Sequence, residues 1–79
     1  MSSQKVNSID DLTVGPYFIY LNYRDAQDHI QTKKKEFSDL IQASAIEQDL
    51  LNSIEEEGGK PSDIDIADND GHFWRAYYS

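Results

Sequence analysis

The tetrapeptide Asp68-Asn69-Asp70-Gly71 constrains this chain more than any other feature. It separates two runs that alternate between apolar and polar residues, Asp63 to Ile66 and His72 to Tyr78, and it suits a type I turn closed by Gly71 in the left-handed region as a bulge residue. A hairpin with that loop has only one register: Asp68 faces His72, Ile66 faces Trp74, Asp65 faces Arg75 and Ile64 faces Ala76. Lengthening the loop by a residue would oppose Asp65 to Trp74 and Ile64 to Arg75, wasting an apolar pair and an ion pair together. The preferred register puts Ile64, Ile66, Trp74, Ala76 and Tyr78 on a core face. Asp63, Asp65, Phe73, Arg75 and Tyr77 take the outer one.

A second strand is written in Tyr17-Phe18-Ile19-Tyr20-Leu21-Asn22-Tyr23, dense in aromatic and β-branched residues. Tyr17, Ile19, Leu21 and Tyr23 share one face by the period of two, and Phe18, Tyr20 and Asn22 the other. Neither face is charged, so a central or doubly covered strand is expected. Upstream, residues 1 to 7 read as a flexible polar tail. Ser8-Ile9-Asp10-Asp11 has the spacing of a capping box for a single helical turn, and Thr13-Val14-Gly15-Pro16 punctuates the chain before the strand.

Between strand and hairpin, Asp25 to Glu57 contains neither glycine nor proline. That stretch reads as helix, with Asp25 as N-cap and Asp28 in the first turn. Projected at about 100° per residue, Ala26, Ile30, Phe37, Leu40 and Ile41 fall on one stripe, whereas Ile46, Leu50, Leu51 and Ile54 fall on another rotated by roughly 90°. Ser44-Ala45-Ile46-Glu47 is a second capping-box spacing. Two helices, about 25 to 43 and 45 to 57, are therefore expected, with one long broken helix as the alternative, and Gly58-Gly59 before Pro61 ends the segment. The expectation is a single α+β domain over 1–79 in β-α-α-β-β order, a three-stranded, mainly antiparallel sheet packed by a helix pair. A chain of 79 residues buries only about 60–65% of its unfolded surface, so the core must be thin.

Charge narrows the function. The net charge of −8 argues against direct contact with a nucleic-acid backbone or an anionic membrane. Cysteine is absent, there is no apolar run near the ~20 residues that span a bilayer, and the first residues lack the apolar segment of a signal peptide. A cytoplasmic protein is expected. Catalytic patterns fail in turn: the glycines form no phosphate loop, no serine sits in a Gly-x-Ser-x-Gly elbow, and His29 and His72 have no ligand spacing, His72 beside Asp70 reading as a solvated pair. With Gly71 at the glycine position of a calcium loop, the first ligand would be Ile66 and the closing one Tyr77, which argues against that site and favours turn-forming Asx residues with outward-facing strand acids. No enzyme, cofactor or metal is expected. Lys33-Lys34-Lys35 is the one basic cluster, with the Lys33 stem lying along the apolar stripe and its amine at the rim.

The acids are more informative. From Glu36 to Asp70 there are eleven of them against Lys60 alone. Glu55, Glu56 and Glu57 occupy the last turn of a helix, where the macrodipole disfavours anions by roughly 0.3–1 kcal/mol each. A local rule broken without structural gain marks a surface under another constraint. Aromatics between charges, Phe73 and Tyr77 on the outer hairpin face, resemble a recognition patch. The chain therefore reads as a small acidic protein-interaction module that binds a basic protein surface through Asp49, Glu55, Glu56, Glu57, Asp63, Asp65, Asp68, Asp70, Phe73 and Tyr77. An inhibitor, immunity protein or DNA mimic acting on a nucleic-acid-binding enzyme or toxin would have this character. The alternative is a structural or adaptor subunit, a homodimer or part of a larger assembly, joined through its aromatic sheet face or a sheet edge.

Overall fold

In the computed structural model, which describes residues 3–78, the chain folds as β1 (Gln4–Lys5), β2 (Tyr17–Arg24), β3 (Ile30–Phe37), α1 (Ala43–Glu56), β4 (Lys60–Ala67) and β5 (His72–Tyr77), with short 3-10 turns at Ile9–Asp11 and Leu40–Gln42. The strands form one sheet in the order β1-β5-β4-β2-β3. β2 runs antiparallel to both β3 and β4, and β5 antiparallel to β4, whereas β1 joins β5 in parallel. β3 and β4 are thus parallel to one another with β2 between them. Parallel strands need a crossover connection, and α1 is that crossover. Among the described residues no helix is long and apolar enough to cross a membrane.

The hairpin forms in the register that its turn dictates, Ile64 opposite Ala76, Asp65 opposite Arg75 and Ile66 opposite Trp74. Gly71 adopts φ 84°. β2 is central, and its alternation is as read: Tyr17, Ile19, Leu21 and Tyr23 are buried, and the residues between them half-buried. The early turn is also present, with the Ser8 hydroxyl accepting from the Asp10 backbone N–H at 3.2 Å. Of the segment read as a tail, Met1 and Ser2 lie outside the described residues, while Gln4 and Val6 donate backbone hydrogen bonds to Gly71 and Phe73 at 2.8 Å each.

The helix pair and the three-stranded sheet are not what forms. The segment from Asp25 to Ala43 holds a loop, the edge strand β3 and a 3-10 turn, giving one α-helix and five strands. Asp25 does accept backbone N–H groups, from Gln27 at 3.0 Å and His29 at 2.8 Å. It does so inside a hairpin loop, with Asp28 at φ 66°. An aspartate that closes an Asx turn looks in sequence like one that caps a helix. β3 carries no apolar alternation because only Phe37 of its residues reaches the core. The stripe that suggested a helix was coincidental: Ile30 and Ile41 are 71% and 84% exposed.

The capping box that forms is that of the 3-10 turn Leu40–Gln42 leading into α1, with its cap five residues before Ser44; α1 itself has no side-chain cap. Asp39 accepts from the Ile41 N–H, and the Gln42 side chain accepts from the Asp39 N–H, both at 3.1 Å. Asp39 is extended, as a cap must be, whereas Ser44 lies within the helix. Glu47, freed of that role, accepts a hydrogen bond from the Tyr78 hydroxyl. The other end closes as a Schellman motif: Gly59 N–H reaches Ile54 C=O at 2.9 Å and Gly58 N–H reaches Glu55 C=O at 3.0 Å, with Gly58 at φ 77°.

The helix buries Ala43 and Ile54 and packs Ile46, Leu50 and Leu51 against Ile19, Leu21, Tyr23, Phe37, Ile64 and Ile66. Ile9 and Leu12 of the early turn join the same core, beside α1 and on its side of the sheet. Gly59 is required where helix and sheet meet. A Cβ there would stand 2.9 Å from the Arg24 carbonyl oxygen and 3.1 Å from the Ile54 methyl. Gly59→Ala is expected to cost about 2 kcal/mol through overpacking, and Gly71→Ala, which meets nothing within 4 Å, only about 1 kcal/mol through its backbone angle. Urea midpoints of the two variants check the order, and a larger loss for Gly71→Ala would contradict the close approach.

Candidate functional site

With α1 on one face, the opposite face of the sheet is uncovered, and register dictates what it displays. One row across the strands is Glu36, Phe18, Ala67, Phe73 and Lys5. The next is Lys34, Tyr20, Asp65 and Arg75, and the third is Thr32, Asn22, Asp63 and Tyr77. The polar members hold one another. Arg75 grips Asp65 with two hydrogen bonds, at 2.6 and 3.1 Å, which keep its guanidinium firmly charged. Thr32 donates to Asn22, and Asn22 to Asp63, each at 2.6 Å.

Cations also lie against the rings. The Lys34 amine is 5.4 Å from the Phe18 ring centre and 5.5 Å from that of Tyr20, and the Arg75 guanidinium is 5.4 Å from Phe73. Tyr77 is 70% exposed. Ser3, Tyr20, Asp65, Ala67, Phe73 and Arg75 border a shallow depression on this face. Of the two readings of β2, central or doubly covered, the first holds: with one helix in the fold, only one face of a central strand is covered.

The residues expected to bind a partner do not converge. Asp63, Asp65, Phe73 and Tyr77 belong to the uncovered face. Asp49, Glu55 and Glu56 are exposed on α1, across the sheet from it. Asp68 and Asp70 sit in the turn beside Val14, at the end of the sheet away from Glu57, which meets Tyr23. An eight-residue strand separates those ends by about 25 Å.

Several of these acids are consumed by the fold. Glu57 accepts from Lys33 at 2.7 Å and from the hydroxyls of Tyr23 and Ser53 at 3.3 Å each. Its hydrogen bond with Lys33 holds the Glu57 carboxyl below, and the Lys33 amine above, their ordinary ranges. The acid at the helix end thus has a structural reason. The Lys33 amine does reach a rim, but from a strand, 5.5 Å above the Tyr23 ring.

Asp68 is buried. Its carboxylate accepts from the N–H groups of Asp70 and His72, both at 2.9 Å, and lies 3.3 Å from His72 Nδ1, so the histidine's partner is Asp68 and not Asp70. Burial pushes this carboxyl up, but the hydrogen bonds outweigh it and hold it below the usual carboxylate range.

Glu55, Glu56 and Asp49 differ from these. Among the described residues they make no ion pair and no side-chain hydrogen bond. Charge as a whole is partitioned by layer. All seven cations lie on strands, with only three acids (Glu36, Asp63 and Asp65) among them. The layer that covers the core, residues 6 to 12 and 38 to 57, carries eight acids and no cation. Asp25, Asp28, Asp68 and Asp70 complete the count in two loops.

Phe18, Tyr20, Lys34 and Arg75 were not among the sequence-derived site residues. The period of two had separated Phe18 and Tyr20 from the core row, and only the pairing of β2 with β4 shows that they share a face with Phe73 and Tyr77. No family model, curated protein or solved structure matches the chain.

The buried carboxylate yields a pH prediction. A folded-state pKa below the unfolded one stabilises the fold above the unfolded value of about 4 and is lost as pH falls through the folded value. Asp68→Asn keeps an acceptor for the turn but removes the charge. It is expected to cost about 1 kcal/mol at neutral pH, or about 4–8 °C in Tm, and to flatten the fall in Tm between about pH 5 and pH 2. Parallel Tm profiles for the two proteins would contradict the assignment.

Proposed function

We propose that this protein is a small acidic interaction module that binds a basic surface of another protein through the layer covering its core, with Asp49, Glu55 and Glu56 at the contact. The observation that supports it is the partition of charge. Eight acids and no cation in the covering layer, with only Glu57 among them paired to a strand lysine, Lys33, make that layer a net anionic surface. Asp49, Glu55 and Glu56 are the helix acids that take no part in the fold's own ion pairs and hydrogen bonds.

Folding does not reward their placement. Glu55 and Glu56 lie in the last turn of α1 with no basic residue beside them in that turn, where each costs roughly 0.3–1 kcal/mol. Carboxylates spaced along a helix present charge to a groove that otherwise receives phosphates, and they steer association at low ionic strength. The matching partner is a protein with such a groove, a nucleic-acid-binding enzyme or toxin that the module would occlude. No catalytic role is assigned to any residue in this reading.

A stability–function trade-off tests it. The triple variant Asp49→Asn/Glu55→Gln/Glu56→Gln is expected to be more stable than the parent by about 1 kcal/mol. Affinity capture from cells of the protein's source, at about 0.05 M salt, is expected to retain a basic partner on the parent, with binding at least about tenfold weaker to the variant and lost at about 0.5 M salt. A captured partner held equally by the variant, or held through high salt, would refute the reading.

A further inference from the structure

We infer that the uncovered face of the sheet is the interface of a symmetric homodimer, packed face to face about a two-fold axis parallel to the strands. The occupant is a second copy of this chain. Three observations select it: the face's charge balance, its pattern under that symmetry, and its area.

In a protein of net charge −8, a second copy can approach only where charge is balanced. The three rows of the uncovered face carry Lys5, Lys34 and Arg75 against Glu36, Asp63 and Asp65. The rest of the surface repels itself. Packing these faces turns both acidic layers outward, about 30 Å apart once the sheet spacing and two helix layers are counted. That is three or more Debye lengths at physiological salt.

The pattern then fixes the axis. β4 lies at the centre of the strand order, so a two-fold parallel to the strands sets β5 over the other copy's β2 and β1 over its β3, row on matching row. Phe18 meets Phe73, Tyr20 meets Arg75, Asn22 meets Tyr77, and at the rim Glu36 meets Lys5. Each contact occurs twice, as a two-fold interface requires. On the axis itself β4 meets β4, so Asp65 faces Asp65 and Asp63 faces Asp63, the first already paired with Arg75 and the second held by Asn22 within its own copy. A two-fold across the strands through the middle row would add Lys34 on Lys34 and Arg75 on Arg75 to the Asp65 pair. Aligned sheets cross at about 30°, which offsets the edge strands by about 5 Å, within reach of a lysine and a glutamate.

Area sets the strength. Four strands at about 4.8 Å and roughly 20 Å of strand length, with the two-residue β1 at their edge, give a face of about 400 Å². Two such faces remove on the order of 800 Å² from water, the size of a weak, transient contact. A dimer with Kd in the high micromolar range is expected. The β3 edge offers a poorer route, because Lys33, Lys34 and Lys35 run along it and lysines blunt edge pairing.

Sedimentation equilibrium of the full chain from about 1 µM to about 1 mM tests the inference. A monomer–dimer equilibrium is expected that persists at about 0.5 M salt, since aromatic contacts hold its centre. Glu36→Lys and Lys5→Glu should each raise the dimer Kd about tenfold, and the two reversals together should restore it to within about threefold. Tyr77→Ser, at an exposed position, should weaken the dimer without lowering Tm. A monomer at the highest concentration, species that grow beyond the dimer, or a double reversal no better than the singles would each overturn it.

Discussion

The fold depends on one row of side chains, Tyr17, Ile19, Leu21 and Tyr23, on the inner face of β2. All four are nearly inaccessible, and Ile19 and Leu21 are fully so. β2 is hydrogen-bonded along its length on both sides, to β3 and to β4, so this row lies beneath α1 and fixes where the helix must dock. Burying an isoleucine or leucine is worth about 1.5–3 kcal/mol. Ile54, Ile64 and Ile66, each at 1% exposure or less, complete the contact from α1 and β4. Everything else is arranged around that strip, including the tight passage at Gly59, where the chain leaves the helix and returns directly to β2's partner strand.

A chain this short has one helix to spend, and the consequence is a two-sided molecule. The covered face needs apolar residues inward and something polar outward, and here the charged residues of the covering layer are all acidic. The uncovered face must satisfy water by itself. It does so by pairing charges with each other and laying cations over aromatic rings, which leaves apolar surface available without leaving net charge. These sides suit different contacts: long-range attraction to a basic partner on one, short-range packing against a neutral surface on the other.

Much of the fold was legible because it is local. The loop Asp68 to Gly71 determines a register whatever lies elsewhere, and the alternation of β2 follows from its own residues. The helical turn at Ser8 and the termination of α1 at Gly58-Gly59 are likewise written within a few positions of where they act. β3 was not legible. An edge strand overhangs the core, so nearly all its side chains are polar on both faces and its periodicity carries no signal, while Asp25 offers the same hydrogen bonds to a loop as to a helix start. The acid pattern was legible as an excess, but not as a surface. Glu57 and Asp68 looked equivalent to Glu55 and Asp70 until their partners, Lys33 and the turn amides, were in place.

The sequence alone therefore determined an α+β domain, the register of its last hairpin, the inner row of its central strand and a strong negative charge, because each depends on composition or on neighbours a few residues apart. Tertiary structure alone decided that β2 pairs with β4, that one helix covers one face, and that all the cations lie in the sheet while the layer over the core carries only acids. Those outcomes rest on contacts between residues tens of positions apart, such as Lys33 with Glu57 and Tyr20 with Asp65. Their cause is geometric: a single helix can cover only one side of a five-stranded sheet, and which side is left open depends on strand order, a property no local pattern contains.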